Sequence, residues 1–384
     1  MHQTAAHLVD RVIPFLPMRQ WVVTFAPRVR WHLAADPKLA SQVLTLVLRV
    51  LFSYQRKRAR SLGVALGRAN SNGAITFIQR FSSALELNLH FHILMPDGVF
   101  SRPPGAPPET RPRFVAITPP TEKEIEILLQ SLRERVTRWL EKRGRLDPDL
   151  SDTAVHTLSA AAGSRVKTSV SVEEPALPRL CARSEGFSLH AGSAIGGKDR
   201  VGLERLCRYG ARPALSMNRL RECADGRIEY RMKRTFSDGT HTLVFTAEEF
   251  LTRLCALVAP PRFNLTRYHG LFAARARGRA AMTGQKSKPR PAVSQDAAPA
   301  SPARNCASPP NPERPGKLPW ADLLQRVFEE DVRKCARCGG RMKVVAYLTD
   351  LDVLRKVLEH LHLPSEPPAR GPPRRATSPS FLDG

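Results

Sequence analysis

Apolar residues recur along this chain with two different periods, which together predict a sheet covered by helices. Alternating or continuous apolar runs predict strands at 21–25, 73–81, 87–95, 113–117 and 187–191. Apolar residues three and four positions apart predict helices at 39–60, 121–143, 199–210 and 247–258. Thr121 and Glu124 have the spacing of a capping box, and Asp199 can cap the third of these helices. Residues 227–245 predict a β-hairpin.

The predicted elements follow the order strand, helix, strand, strand, helix, strand, which is that of a split βαβ sandwich. We therefore predict an α+β, ferredoxin-like core, with an antiparallel sheet and helices on one face. This core domain should span residues 1–275, with a Pro-rich break near 102–112. Residues 276–319, rich in Pro, Ala and Ser, predict a disordered linker. A small C-terminal unit at 320–363 and a disordered tail at 364–384 should follow.

The composition adds a strong positive charge to this picture. The 384 residues include 60 Lys and Arg but 35 Asp and Glu, a net charge of +25 that favours a polyanionic partner. The cysteines number seven and do not form an evident disulfide framework, so a reducing interior is expected. The most apolar stretch, 43–52, is too short to cross a membrane, and no nucleotide-binding P-loop motif occurs.

The most specific chemical signal is the sequence His90-Phe91-His92. Side chains two apart on a strand share one face, so both imidazoles can bind one divalent metal ion while Phe91 enters the core. Two histidines at this spacing also occur in ordinary half-buried strands. Tyr209 lies near Arg208 and Arg212 on a predicted helix, and a phenol can attack a phosphodiester if a metal polarises the phosphate and cations neutralise its charge. By helix period alone, an ordinary residue at the end of an amphipathic helix is the better interpretation of Tyr209.

Several segments in the same order resemble one family. Residues 87–100, LNLHFHILMPDGVF, resemble the His-hydrophobic-His segment of bacterial rolling-circle transposases of the IS-ninety-one type. The other segments that agree are 73–81, 186–192, 203–213 and 267–270. The resemblance covers about residues 4–275 and resumes at 320–364. It implies a DNA transposase that cleaves and rejoins single-stranded DNA at element ends and at its target.

The resemblance also implies roles for individual residues. Mg²⁺ or Mn²⁺ bound by His90 and His92 would polarise the scissile phosphate, and Tyr209 would attack it, leaving a 5′-phosphotyrosine and a free 3′-OH. Hard cations prefer oxygen, so a third ligand is expected. Gln79 is the first candidate for it, and the next two candidates are His190 and Glu86. Many relatives carry a second tyrosine four residues before the first, where this chain has Arg205. The chain therefore resembles the single-tyrosine subgroup.

Basic and aromatic residues near these motifs predict contacts with DNA. The cationic helix end with Arg56 and Arg58, and the residues Arg208 and Arg212, are the main candidates for phosphate contacts. Further candidates for the same phosphate track are Arg219, Arg231, Lys233 and Arg234. Tyr230 and Phe236 can stack on unpaired bases, although cross-strand packing is their commoner use. Cys335 and Cys338 resemble half of a zinc ribbon that His360 or His362 could supplement, and an unmetallated thiol pair is the alternative.

Relatives carry an N-terminal Cys-rich zinc module ahead of the segment that resembles 5–10, and this sequence begins just before that point. An N-terminally truncated copy is therefore one expectation. A related replication initiator or relaxase, and a DNA-binding remnant without activity, are the alternatives to a transposase. The expected location is the bacterial cytoplasm, in association with the nucleoid.

Overall fold

A computed structural model describes most of the chain as two units. The larger unit comprises Met1–Leu215 and Glu222–Lys317, and the smaller unit comprises Ser216–Arg221 and Leu318–Gly384. The described residues are 1–66, 72–103, 105–107, 110–146, 178–233, 235, 239–276, 278–283, 318–335, 337–343, 348 and 350–365. The predicted linker and tail lie almost entirely outside these residues, as do Arg234, Phe236 and Tyr347.

The larger unit contains seven of the described α-helices and most of the strands. Its helices are α1 (His2–Arg11), α2 (Pro27–Ala35), α3 (Pro37–Ser61), α4 (Glu122–Glu141), α5 (Arg200–Gly210), α6 (Ala247–Leu257) and α7 (Arg279–Thr283). Its strands up to α5 are β1 (Met18–Thr24), β2 (Gly73–Phe81), β3 (Leu87–Pro96), β4 (Gly98–Ser101), β5 (Arg113–Ala116), β6 (Cys181–Ser184) and β7 (Phe187–Ile195). It also contains β9 (Ile228–Arg231), β10 (Thr242–Phe245) and β11 (Thr266–Gly270), and β8 (Leu220–Glu222) spans the boundary between the two units in sequence. The smaller unit has a 3₁₀ turn, Met217–Arg219, and the helices α8 (Trp320–Phe328) and α9 (Leu351–His360).

Six strands form an antiparallel sheet in the order β11-β2-β3-β1-β7-β6. Its four inner strands, β2, β3, β1 and β7, have the order of a split βαβ sandwich. The α+β class and the antiparallel sheet are therefore confirmed. The hairpin of β9 and β10 is present at the predicted place, and Thr121 with Glu124 forms the predicted capping box of α4.

Helices cover both faces of the sheet, not one face as the sequence suggested. The two crossover helices, α3 and α4, and the shorter α2 pack on the face that carries Trp21 and Phe91. Helices α1 and α5 pack on the opposite face, against Ile75, Phe77 and Leu94. The two crossover helices do lie on one face, because both return on the same side of a split βαβ sheet.

Among the elements that the sequence did not predict are α1, α2 and β11. Helix α1 has a narrow apolar face that includes two alanines, and α2 and β11 are short, so none of the three gives a strong periodic signal. Strand β5 does not join the core sheet but pairs with β4 in a separate two-stranded sheet. Its alternation was read correctly, but pairing depends on contacts distant in sequence. Across the residues that the structure describes, no helix combines the length and the apolarity that a bilayer crossing requires.

Candidate active site

The two histidines of the His90-Phe91-His92 sequence lie at the centre of the sheet, on the face covered by α1 and α5. Strand β3 lies between β1 and β2, and the ring centroids of His90 and His92 are 4.8 Å apart. His90 is 9% exposed and His92 is 4% exposed, whereas Phe91 is fully buried in the core on the other face. Strand alternation therefore separates the two imidazoles from the apolar residue between them.

The tautomer of His90 is fixed by a backbone carbonyl. His90 Nδ1 lies 2.7 Å from the oxygen of Asn88, which can only accept a hydrogen bond, so Nδ1 carries the proton and Nε2 keeps its lone pair. Burial is the main cause that lowers the pKa of His90, and the charges of Arg212 and Arg30 lower it further. The imidazole is therefore neutral at physiological pH, as a metal ligand must be.

His92 contacts an amide group instead. Its Nδ1 lies 3.0 Å from Nε2 of Gln20, a β1 residue that is 5% exposed. The other ring nitrogen, Nε2, is buried and has no hydrogen-bond partner within the described part of the chain. Burial is the main cause that holds the pKa of His92 well below its usual value, followed by the charges of His90 and Arg212. A buried, neutral and unpartnered imidazole nitrogen is therefore present at the centre of this face.

Gln79 on β2 connects the sheet to the end of α5. Its Nε2 donates hydrogen bonds of 3.0 and 2.9 Å to the carbonyl oxygens of Tyr209 and Gly210. Because this end of the amide must donate, its oxygen is fixed on the other side, where it is buried without a partner among the residues described. A Cβ atom at Gly210 would come within 2.5 Å of the Phe77 ring, so glycine permits this close approach of helix and strand.

Tyr209 lies against His92 of strand β3. Their ring centroids are 5.7 Å apart with an interplanar angle of 81°, and the tyrosine remains 39% exposed. The guanidinium of Arg212 lies 4.4 Å from the Tyr209 ring centroid, and the ammonium nitrogen of Lys233 lies 5.9 Å from it. A solvent-accessible phenol thus lies against His92 and near two cations.

The other described tyrosines lie elsewhere. Tyr268, which lies in the resembling segment 267–270, pairs with Ile75 at the sheet edge, and the Arg279 guanidinium lies 6.0 Å from its ring centroid. Burial raises its pKa, which makes its ionisation harder. Tyr54 packs edge-on against Trp21 on the opposite face of the sheet, and burial likewise raises its pKa. Tyr230 is 2% exposed in strand β9, where it pairs across the strand with Leu243.

Two alternative third ligands are separated from the histidine pair, although His190 is near enough for its charge to lower the pKa of His92. His190 shares its face of the sheet, but Val22 of β1 pairs with both His92 and His190 and therefore lies between them. Glu86 lies in the loop before β3, where its carboxylate accepts a hydrogen bond from Ser82. Among the described residues, no three His, Cys, Asp or Glu side chains are grouped so that they could hold a metal ion. Gln79 is therefore the predicted oxygen ligand that this site brings together with the histidines.

The predicted DNA-contacting arginines divide between two places. Arg208 and Arg212 are at the end of α5 and just after it, beside Tyr209. Arg56 and Arg58 are on α3, which packs on the opposite face of the sheet. There, Arg56 donates a hydrogen bond to Asn72, and Arg58 forms an ion pair with Glu124.

Sequence reasoning missed two residues that border the histidines. Gln20 contacts His92, and Arg30 on α2 donates a hydrogen bond of 3.0 Å to the side chain of Asn88 and lies near enough to affect His90. Neither belongs to a local motif, because both reach the site from elements far from the histidines in sequence. Only the pairing of β1 with β3 could have indicated Gln20.

The two cysteines of the smaller unit form a tight turn. An isolated β-bridge joins Lys334 to Arg341, and the backbone nitrogen of Gly339 donates to the oxygen of Cys335. Hydrogen bonds from the backbone of Cys338 and Arg337 lower the pKa of Cys335. His360 and His362 complete no metal-binding group with these thiols among the described residues.

Comparison with known proteins identifies the family. No curated protein and no solved structure matches the chain. A family model with the description "Putative transposase" matches residues 73–280. The match covers more than half of the chain and includes His90, His92, Gln79 and Tyr209. The chain therefore belongs to this transposase family.

Proposed function

We propose that the protein is a metal-dependent DNA strand transferase that cleaves and rejoins single-stranded element ends through a covalent tyrosine intermediate. The observation that carries this proposal is the contact of the Tyr209 ring with His92, since it joins two segments more than 100 residues apart in sequence. A nucleophile, two neutral imidazoles and two cations converge on one face. This combination suits attack on a phosphodiester.

The side chains of this site fit a divalent cation, Mg²⁺ or Mn²⁺. His90 has an Nε2 lone pair available, and Gln79 Oε1 is buried without a described partner. His92 Nε2 is also buried without a described partner, and it can bind the ion when the ring proton is on Nδ1. These two nitrogens and one amide oxygen would hold the ion, with water or substrate oxygens completing its coordination. When bound, the ion would supply Lewis-acid polarisation of the scissile phosphate.

The chain's own residues would then carry out the following steps. The Tyr209 oxygen forms a bond to phosphorus while the P–O3′ bond breaks, which leaves the DNA 5′ phosphate on the tyrosine. The phenol proton passes to solvent, which reaches the exposed ring, and the departing 3′ oxygen takes up a proton to become a 3′-OH. Arg212 stabilises the negative charge that develops on the phenol and the phosphate. Since no bond energy is lost to hydrolysis, a 3′-OH can later reverse the reaction and rejoin a strand.

The direct test is a trapped covalent adduct. The full chain is incubated with labelled single-stranded element ends and Mg²⁺ or Mn²⁺, and adducts are resolved on denaturing gels. We expect an adduct with the wild type and none with Tyr209→Phe, while DNA affinity is kept because most of it comes from phosphate contacts. Tyr268→Phe is the matched control and should form the adduct normally.

Other results of this experiment would favour the alternatives. Adducts that map to Tyr268 would overturn the assignment of the nucleophile. Wild-type protein that binds DNA but forms no adduct would favour a remnant that has lost activity. Cleavage confined to a replication origin or a transfer origin would favour an initiator or a relaxase. We also infer that the protein binds single-stranded DNA in preference to duplex, with an affinity that falls steeply as salt increases. Its inferred location is the bacterial cytoplasm, near the nucleoid.

We further propose that the Cys335–Cys338 turn binds Zn²⁺. The support is the turn itself, in which backbone hydrogen bonds lower the pKa of the Cys335 thiol and so favour the thiolate that zinc requires. Metal analysis of the purified chain should find zinc that is lost in Cys335→Ser. Equal zinc content in both proteins would contradict the assignment.

A further inference from the structure

Gln20 occupies a position that nothing in its local sequence explains. It lies on β1 with its backbone paired to Leu94 of β3 and Ser193 of β7, and its side chain is 95% buried on the histidine face. A buried amide must satisfy its polar atoms, and the described contact of this one is with His92 Nδ1, at 3.0 Å. The side chain therefore acts directly on one of the two histidines.

The two ends of the Gln20 amide would have opposite effects on His92. If the NH₂ group donates to Nδ1, the ring proton must be on Nε2, which then has no lone pair to offer a cation. If the amide flips so that its oxygen and its NH₂ group exchange places, the oxygen accepts a hydrogen bond from Nδ1–H, and Nε2 has a free lone pair. The structure has the NH₂ group facing Nδ1, and it leaves Nε2 buried without a described partner.

The other two members of the site do not have this freedom. His90 Nδ1 faces a carbonyl oxygen, which can only accept, and Gln79 must turn its NH₂ group toward the two carbonyls at the end of α5. Both therefore present a fixed lone pair. Of these three ligand candidates, His92 is the one whose proton can lie on either ring nitrogen, because its partner, the Gln20 amide, can either donate or accept a hydrogen bond.

We propose that Gln20 is a positioning residue that sets the tautomer of His92, and that rotation of its amide converts His92 Nε2 from an N–H donor into a metal ligand. This inference rests on the metal site of the proposed function. It implies that cation binding and amide rotation are coupled: an ion at His92 favours the rotated amide, and a group that can only accept at position 20 favours the ion.

The test reads the tautomer directly in the metal-free full chain. Long-range ¹H–¹⁵N correlation spectra of histidine-labelled protein distinguish Nδ1–H from Nε2–H, and a His92→Asn spectrum assigns the signal. We expect Nε2–H in the metal-free wild type and Nδ1–H after Mg²⁺ is added. Gln20→Glu, whose carboxylate can only accept, should show Nδ1–H without any metal.

A second variant covers the case in which Gln20→Glu does not fold. Gln20→Leu should bind Mn²⁺ about 10- to 100-fold more weakly, the usual cost of losing a group that orients a metal ligand. Gln55→Leu is the matched control, because it removes another buried amide that bonds to Pro96 and Asn72. Mn²⁺ affinity, measured from the electron paramagnetic resonance signal of the free ion, should be unchanged in this control.

Two outcomes would overturn the proposal. One is the same His92 tautomer in wild type, Gln20→Glu and Gln20→Leu. The other is an equal loss of Mn²⁺ affinity in Gln20→Leu and Gln55→Leu. The tautomer measurement needs no DNA, so it can fail while the Tyr209 adduct forms. Conversely, an absent adduct would refute strand transfer without changing the tautomer result.

Discussion

The two faces of the six-stranded sheet use the same strands for different purposes. On the face covered by α2, α3 and α4, β3 contributes Leu89, Phe91 and Ile93 to a continuous apolar core. On the face covered by α1 and α5, the same strand contributes His90 and His92, next to Gln20 and Gln79 from its neighbours. Both faces bury apolar clusters, but the second face also holds neutral, partly unsatisfied polar groups beside its cluster.

This comparison predicts that substitutions at neighbouring residues of β3 affect different properties: strand cleavage at the two histidines and stability at Phe91. The largest effect should be the loss of strand cleavage in His90→Ala or His92→Ala. Removing a ligand forfeits several kcal/mol of charge stabilisation, which corresponds to about 10³-fold or more in rate. Adduct formation with labelled DNA measures this, and His190→Ala, on the same face, serves as the control. Full activity in either β3 variant would contradict the metal-site assignment.

Phe91→Ala should act on stability instead of chemistry. The ring is fully buried and packs edge-on against Phe25 at 5.2 Å, so its removal leaves a cavity and costs about 3–5 kcal/mol. Denaturant-induced unfolding should show this loss, and the protein that remains folded should still form the adduct. A loss of stability as large in His90→Ala would mean that the two faces do not differ as we describe.

His269 offers a further test of this comparison, because it is a histidine on the face covered by α2, α3 and α4. It pairs with Ala74 of that face, and burial, aided by the charge of Arg267, lowers its pKa from 6.5 to about 4. The unfolded chain binds a proton below pH 6.5 and the folded chain does not until about pH 4. Stability is therefore full above pH 6.5 and falls as the pH drops toward 4, by at most about 3 kcal/mol.

The measurement is the free energy of unfolding between pH 4 and pH 7. His269→Asn should flatten the pH dependence in that window, because the variant loses the group that takes up a proton on unfolding. Its adduct formation at pH 7 should match that of the wild type. An unchanged slope would show that other groups cause the acid sensitivity.

The smallest expected effects concern the predicted DNA-contacting arginines. Arg212→Gln should lower the slope of log affinity against log salt by about 0.7, the value for one phosphate contact to a single strand. Arg58→Gln is the comparison on the other face. Arg58 already pairs with Glu124, so its replacement should change the slope less than Arg212→Gln does. Equal changes would indicate that DNA contacts both faces of the protein.

The sequence by itself determined the parts of this protein that depend on local pattern. The alternation in β3 predicted that His90 and His92 share a face and that Phe91 enters the core, and both are confirmed. The capping box at Thr121 and the cap at Asp199 were readable for the same reason, since side chain and backbone partner are three residues apart. The order of the elements was enough to predict the split βαβ sheet.

Only the tertiary structure decided which distant residues complete the site. Gln20 and Arg30 reach the histidines through strand pairing and helix packing, and no local period encodes those contacts. The structure likewise separated Arg58 from Arg212, although the sequence offered both as basic residues at helix ends. Strand register and helix packing sum many weak, long-range contacts, so a side chain's neighbours across the sheet are fixed only when the whole core forms.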